Sequence, residues 1–257
     1  MNGIGRMLGL RGPRGPCRKL LVMAVTRLSD GVCVACLDEE NRWVRPTRLK
    51  RANWRQLELA DLRDAEGRVV VAVGNEVEWE LDRPAPLAVH SEDVLVGRGQ
   101  PRLVRTLPAV EFLERCGRVC DHDLCAFLRS PDRSLTLIRP ERLRCLSFSE
   151  AGKVAGKPGL TARIYFVHQR LIDDFGVTDL GWRAFGRTLL AQRHVPQVAL
   201  AAEALADSAG LNIRYLAIGR GQPWEEKRHP LAGVYWPFFV TVITEPPLAV
   251  PLDFANL

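Results

Sequence analysis

The chain has 257 residues, of which 47% are hydrophobic and 26% are charged, which is the balance of a soluble globular protein. This composition excludes a chain that is disordered over most of its length. No apolar run approaches the 18 residues of a membrane-spanning helix, so no membrane span is expected. The length allows one large domain or two small ones.

The net charge of +6 is unevenly distributed along the chain. Residues 1–19 contain four arginines, one lysine and no acid, and so account for five of the six positive charges. The remainder is nearly neutral, so any basic patch on it must be local. We interpret residues 1–18, which are rich in Gly, Pro and Arg, as a flexible basic tail. They lack the apolar core of a secretory signal, and we expect a cytoplasmic protein.

The first part of the chain, residues 19–104, is predicted to consist of short strands. The apolar segment 19–37 contains a polar turn, which is typical of two strands joined in a hairpin. Residues 42–49 begin as a strand that a proline interrupts, which favours a bend or an edge. Glutamates alternate with apolar residues within residues 68–81, and this is the period of a half-buried strand.

Residues 105–130 are predicted to form a helical connector of two short helices, because Gly117 interrupts a helical pattern. Residues 131–257 return to strand character. Within them, residues 193–209 carry apolar side chains at helical spacing and predict an inserted helix. The regular strand–helix alternation of a doubly wound fold is missing. The many short strands therefore predict a mainly β fold of small barrels or sandwiches.

Three motifs follow one another in the chain. They are Cys33-Val34-Ala35-Cys36 followed by Arg42-Trp43-Val44-Arg45-Pro46, then Val177-Thr178-Asp179 with Trp182, then Ile218-Gly219-Arg220-Gly221 before a hydrophobic last strand. In the order and spacing of these motifs, the chain after about residue 19 resembles the prokaryotic dual OB-containing domain family. The resemblance implies two OB-like (oligonucleotide/oligosaccharide-binding) β-barrels, at residues 19–104 and 131–257. It also implies binding of nucleic acid or a nucleotide, in a defence or mobile-element setting.

The first candidate site is a basic and aromatic cluster within the predicted first barrel. Proteins that bind single strands combine cations for the phosphates with flat rings for the bases. On a strand, Trp43 and Arg45 face the same side, which would bring a ring and a charge together. The alternative is that Trp43 packs into the barrel and the cations form a solvated rim. The cluster consists of Trp43, Arg45, Arg48, Lys50, Arg51, Trp54 and Arg55.

A second basic cluster lies near the end of the chain. Two glycines, Gly219 and Gly221, would let backbone amides approach a phosphate. A tight loop between two barrel strands is the favoured explanation of this pair. The cluster consists of Arg214, Arg220, Trp224, Lys227, Arg228 and His229.

Two further groups of residues favour structural roles. Thr178 or Asp179 is expected to cap a turn of helix that contains Trp182, although a ligand contact is the alternative. A two-residue gap separates Cys33 from Cys36, as in a zinc hook, and Cys116, Cys120, His122 and Cys125 add possible ligands. However, two cysteines three positions apart on a strand face opposite sides, so we expect no metal site.

No catalytic motif and no cofactor site is recognised in the sequence, and we expect binding without chemistry. In the leading hypothesis Trp43 stacks a base of single-stranded nucleic acid or a nucleotide, while Arg45, Arg48 and Arg51 neutralise phosphates. Arg220, Trp224 and Lys227 would play the same roles in the second barrel, and the basic tail would add unspecific affinity. The alternatives are a protein-interaction or regulatory module, or a nuclease or nucleotide-processing enzyme. The oligomeric state stays open.

Overall fold

The computed structural model describes residues 15–27, 31–51, 54–87, 90–130, 132–154, 157–169, 171–223 and 235–248. Residues 1–14 of the predicted tail lie outside the described residues, whereas Cys17 and Arg18 belong to the first strand and pair with Glu80 and Trp79, so they are not part of a flexible tail. None of the helices in the described ranges is both long and apolar enough to cross a bilayer. The described chain is mostly β, with a closed five-stranded barrel and short helices, which confirms the predicted fold class.

The described part of the first half of the chain contains eight strands and one short 3-10 helix. In chain order they are β1 (Cys17–Arg27), β2 (Val32–Leu37), β3 (Trp43–Thr47), β4 (Leu49–Arg51), β5 (Trp54–Arg55), the 3-10 helix (Leu59–Leu62), β6 (Asn75–Pro84), β7 (Asp93–Val96) and β8 (Arg102–Thr106).

The first barrel closes on β1, which pairs with two different neighbours. Its start, from Cys17 to Leu21, is antiparallel to β6, and the rest is antiparallel to β2. A register shift between Val22 and Ala24 marks a bulge, which lets one strand bend between two neighbours. β2 pairs with β3, β3 pairs in parallel with β7, and β7 returns to β6. The closed order β1-β2-β3-β7-β6-β1 is that of a five-stranded Greek-key barrel of OB type.

The second half begins with two short helices. In chain order its elements are α1 (Ala109–Val119), α2 (Leu124–Arg129), β9 (Leu135–Ile138), β10 (Arg142–Val154), β11 (Lys157–His168), β12 (Leu171–Gly176), α3 (Leu180–Arg193), β13 (Gln197–Ala201), α4 (Ala202–Ala209), β14 (Asn212–Pro223) and β15 (Tyr235–Glu245).

The strand order of the first barrel recurs in the second half. β10 pairs with β11 and β11 with β12, while β9 pairs with β14 and β14 with β15. A parallel bridge between Val177 and Phe239 joins the end of β12 to β15. β9 and β10 are separated by the break around Pro140 and together take the place of β1 in the first barrel. β13 then extends the sheet beyond β10.

The longest apolar runs of the sequence are strands that are buried on both faces. In β1, Leu20 and Val22 fill the first barrel, while Leu21 and Met23 point towards the second. The outward face of β1, β2 and β3 therefore packs against α1 and the outward face of β9, β14 and β15. We call this contact the inter-barrel cluster, and its members are Leu21, Met23, Ala24, Ala35, Leu37, Leu107, Phe112, Cys116, Leu135, Leu137, Ala217, Val240 and Ile243.

The predicted helix at residues 193–209 is wrong in its first half. α3 ends at Arg193, His194 adopts a left-handed conformation with φ 52°, and β13 follows along the edge of β10. Only Ala202–Ala209 is helical. Pro196 explains the difference, because a proline inside a helix removes a hydrogen bond and collides with the preceding turn.

The connector contains two helices, but they are not divided at Gly117, which lies within α1. The break falls between Val119 and Leu124 instead. Asp123 starts α2 by accepting a hydrogen bond from the Ala126 N–H at 2.7 Å. A capping side chain thus determines where the second helix begins.

α3 lies directly against β10 because Gly186 places no side chain between them. A Cβ at this position would overlap with the ring of Phe148. That ring is in turn packed 5.6 Å from the ring of Trp182 and 5.9 Å from that of Phe185. The helix therefore depends on a glycine for its close approach to the sheet.

We expect Gly186→Ala to lower the free energy of unfolding by about 1–3 kcal/mol, the usual cost of overpacking a core. In an unobstructed helix interior the same change raises stability by about 0.5–1 kcal/mol. The matched control is Gly117→Ala in α1, where only the Tyr215 hydroxyl lies within 4 Å of the new Cβ. Urea unfolding of both variants is the measurement, and a stabilising effect of Gly186→Ala would contradict the close packing.

Candidate nucleic-acid interface

Trp43 and Arg45 both lie on the outward face of β3, while Val44 between them is buried. Trp43 is paired with Leu37 of β2 and packs against the inter-barrel cluster. Its ring is therefore half-buried at the contact between the two barrels. The side of β3 that the sequence suggested for base stacking is the side that holds the barrels together.

Arg45 forms an ion pair across the parallel junction of β3 and β7. Its Nε and Nη2 donate to the two carboxylate oxygens of Asp93, at 2.5 and 2.9 Å. The Arg45 side chain is 14% exposed and that of Asp93 is fully buried. A two-pronged pair of this kind is strong and directional when it is shielded from water. It joins the two strands whose parallel pairing completes the first barrel.

The other cations of the first cluster lie beyond this pair. Arg48 donates to Asp61 Oδ1 at 2.7 Å and to the Gly97 carbonyl at 3.2 Å, so it links three segments of the first barrel. Its side chain is 37% exposed. The backbones of Lys50 and Arg51 belong to β4, but their side chains lie outside the described residues. Their part in binding stays a prediction.

Arg220 is buried inside the second half of the molecule. Its guanidinium lies 4.9 Å from the ring centroid of Phe127 and donates to the carbonyl of Arg133. Gly219 and Gly221 belong to β14, not to a loop, and they give room to side chains of β15. A phosphate contact by Arg220 would require its guanidinium to leave this buried position.

Trp224, Lys227 and Arg228 lie outside the described residues. By their position in the chain they belong to the connection between β14 and β15, the fourth and fifth strands of the second barrel. In OB folds, the loop between these strands borders the ligand-binding face.

Asp179 connects α3 to β15 by accepting hydrogen bonds on both carboxylate oxygens. Oδ1 accepts from the Trp182 N–H at 2.8 Å, so Asp179 is the N-cap residue of α3. Oδ2 accepts from the Thr241 hydroxyl at 2.5 Å and from the Val242 N–H at 3.1 Å. Burial raises the pKa of this carboxyl, whereas the hydrogen bonds act in the opposite direction.

Thr178 connects the two barrels through its backbone. Its N–H donates to the Phe239 carbonyl at 2.9 Å, and its carbonyl accepts from the Arg27 N–H at 3.3 Å. Trp182, in the first turn of α3, is completely buried in the core of the second barrel. The contacts of Thr178, Asp179 and Trp182 thus fix the start of α3 between the two barrels.

Cys33 and Cys36, whose spacing is that of a zinc hook, face opposite sides of β2. Cys36 belongs to the core of the first barrel, whereas Cys33 lies on the outward side near Arg45. Burial raises the pKa of both thiols, which disfavours the thiolate that zinc binds. Within the described ranges, no three His, Cys, Asp or Glu side chains are grouped as metal ligands.

The second barrel has an open sheet face, by which we mean the outward side of β12, β11, β10 and β13. Tyr165 of β11 is half-exposed there, and the guanidinium of Arg144 lies 5.8 Å from its ring centroid. On the same side, Arg163 Nε donates to Asp174 Oδ2 at 2.5 Å. The side chains of Arg163 and Asp174 are 40% and 46% exposed. The face therefore combines an accessible ring with accessible cations.

This face was not predicted from the sequence, although a signal was present. Thr161, Arg163 and Tyr165 alternate with buried apolar residues along β11, which is the pattern of a strand with one solvent side. Trp236, at the start of β15, was not predicted either. It is 47% exposed and lies beside the connection that contains Trp224.

We expect Arg45→Met to lower the free energy of unfolding by about 3–5 kcal/mol, because it leaves the buried Asp93 carboxylate without its cation. The control is Arg102→Met, whose ion pair with Glu78 is exposed and so worth about 0–1 kcal/mol. Replacing both partners, Arg45→Met with Asp93→Leu, should recover much of the loss. Chemical denaturation measures all three variants, and wild-type stability of Arg45→Met would contradict this role.

Comparison with known proteins agrees with this architecture. No curated protein matches the chain. The family model described as the dual OB-containing domain matches residues 18–229, which span the first barrel, both connector helices and most of the second barrel. Given the two OB-type strand circuits and the extent of this match, the chain belongs to the dual OB-containing domain family.

Proposed function

We propose that this protein binds single-stranded nucleic acid along the open sheet face of its second barrel, without chemical catalysis. Tyr165 stacks on a base, while Arg144 and Arg163 contact the phosphates on either side. OB folds bind oligonucleotides on the face formed around their second and third strands. In the second barrel those strands are β11 and β12, and Tyr165 lies on the outward side of β11.

The observation that carries the proposal is a difference between the two barrels. The corresponding face of the first barrel is buried against the second, with Leu37 and Trp43 in or against the inter-barrel cluster. The face of the second barrel is covered by no described element and presents Tyr165 with Arg144. Each chain therefore offers one binding face of this type, and we expect one strand to bind per chain.

The charges on the open sheet face suit exchange with phosphates. Arg144 is exposed and forms no ion pair in the part of the chain that the structure describes. The exposed pair of Arg163 with Asp174 is of the kind that contributes little stability, so a phosphate can replace the carboxylate at small cost. Arginine also stacks on bases and can contact a phosphate with two N–H groups.

Two neighbouring segments extend this surface in the proposal. The connection between β14 and β15 supplies Trp224, Lys227 and Arg228, with Trp236 at its end. Lys50, Arg51 and the three arginines within residues 1–14 add charge that attracts any nucleic acid without reading its sequence. We leave Trp43, Arg45 and Arg220 out of the contact surface because each has a buried or half-buried structural position.

We expect Tyr165→Ala to weaken the binding of a labelled single-stranded oligonucleotide about 5- to 150-fold, since stacking one base on an aromatic ring is worth about 1–3 kcal/mol. Tyr165→Phe keeps the ring and should bind like wild type. Fluorescence anisotropy with DNA and RNA measures both variants, on the full chain and on a chain that starts at Gly15. Equal binding by Tyr165→Ala and wild type, or binding that vanishes with residues 1–14, would exclude the open sheet face.

We expect Arg144→Ala to make binding less dependent on salt, because each phosphate contact on a single strand contributes about 0.7 to the slope of log K against log salt concentration. Arg102→Ala is the matched control, since Arg102 is also exposed but lies on β8 of the first barrel. Titrations at several salt concentrations measure the slope. If both variants change it equally, the attraction is a general effect of net charge. If neither variant nor wild type binds nucleic acid, the open face is more suited to a protein partner.

A further inference from the structure

Three arginines come together where β1 of the first barrel meets α3 of the second. Arg27 ends β1, and its N–H donates to the carbonyl of Thr178, just before the N-cap of α3. Arg183 and Arg187 lie one turn apart on α3, so they share a face of that helix. All three side chains are half-buried, and Arg27 and Arg187 are close enough to repel Arg183. The fold thus gathers cations from both barrels at one point.

Asp179, the described carboxylate closest to this arginine group in the chain, is directed elsewhere. Asp179 uses its oxygens for the Trp182 N–H, the Thr241 hydroxyl and the Val242 N–H. Among the described residues, neither Arg27 nor Arg183 takes part in an ion pair.

The charged form of Arg183 is disfavoured in this position. Burial, together with repulsion from Arg187 and Arg27, lowers the pKa of the Arg183 guanidinium to about 10. Like charges that are partly shielded from water repel more strongly than charges in bulk solvent. An anion placed between Arg27 and Arg183 would remove this repulsion and would gain charge-assisted hydrogen bonds. The group is thus electrostatically suited to an anion with several oxygens.

We propose that Arg27 and Arg183, with the charge of Arg187 beside them, form a phosphate-binding site at the joint between the two barrels. The guanidinium groups offer planar, paired N–H donors that match the oxygens of a phosphate monoester. The phosphate belongs to a free phosphate compound or to the terminus of a nucleic-acid strand. The site uses none of the residues of the open sheet face, so it does not depend on the function proposed above.

The first experiment is thermal unfolding of the full chain with inorganic phosphate, against sodium chloride at equal ionic strength. We expect phosphate to raise the unfolding temperature of wild type above the chloride control, because a ligand of the folded state stabilises it. Arg183→Met should remove this rise and, without phosphate, should be at least as stable as wild type. The control is Arg193→Met, at the exposed end of the same helix, which should keep the rise.

Several results would overturn the proposal. The first is an unfolding temperature that phosphate does not raise beyond the chloride control. The second is an equal rise of the unfolding temperature in wild type and Arg183→Met. The third is a strong loss of stability of Arg183→Met in phosphate-free buffer. A second variant, Arg27→Gln, tests the contribution of the first barrel and should reduce the affinity for phosphate about tenfold in calorimetry, as expected for one lost charge-assisted contact. Unchanged affinity of Arg27→Gln would also contradict the site.

The source of the phosphate is identified with two oligonucleotides of the same sequence, one with a 5′-phosphate and one with a 5′-hydroxyl. Tighter binding of the phosphorylated strand, lost in Arg183→Met, assigns the site to a strand terminus. Equal binding of both strands, together with stabilisation by inorganic phosphate, assigns it to a free phosphate compound. Tyr165→Ala should keep its response to inorganic phosphate, which separates a failure of this site from a failure of the open sheet face.

Discussion

The packing of the first barrel against the second determines where every other feature of this molecule lies. From Leu20 to Thr26, β1 has no solvent side, because one face fills its own barrel and the other meets the inter-barrel cluster. Fully buried side chains such as Met23 contribute about 1.5–3 kcal/mol each to such a contact. Separating the barrels would expose this surface to water, so the contact holds them in one relative orientation.

Because of this contact, two barrels with the same strand order expose different faces. The first barrel uses the outward face of β1, β2 and β3 to hold its neighbour, and Trp43 lies at that contact. The second barrel is held by the outward face of β9, β14 and β15, so the side that carries Tyr165 stays open. The two barrels therefore meet through different faces. The outward side of β2 and β3 in the first barrel is covered by protein, whereas the corresponding side of β11 and β12 in the second barrel is open.

Much of the fold could be predicted from the sequence, because strands and turns follow from local patterns. The surface that covers each strand could not be predicted, because Leu37 is equally apolar whether it faces the core of its own barrel or the second barrel. The shared side of Trp43 and Arg45 follows from strand geometry, but Asp93 lies 48 residues further on, and only the parallel register brings it to Arg45. The helix predicted at residues 193–209 is wrong for a local reason, because Pro196 interrupts the helical pattern.

Candidate binding residues were harder to predict, because charges that are close together in the chain need not meet on one surface. The most compact cluster supplied Arg45 and Arg48, which both hold the first barrel together. The pair of Tyr165 and Arg144 instead depends on two paired strands, and the pair of Arg27 and Arg183 depends on two barrels. The contact that covers the outward face of β1, β2 and β3 therefore also brings together Arg27 of the first barrel and Arg183 of the second. In the proposed arrangement, the first barrel would contribute to binding through this joint, and not through a second copy of the open sheet face.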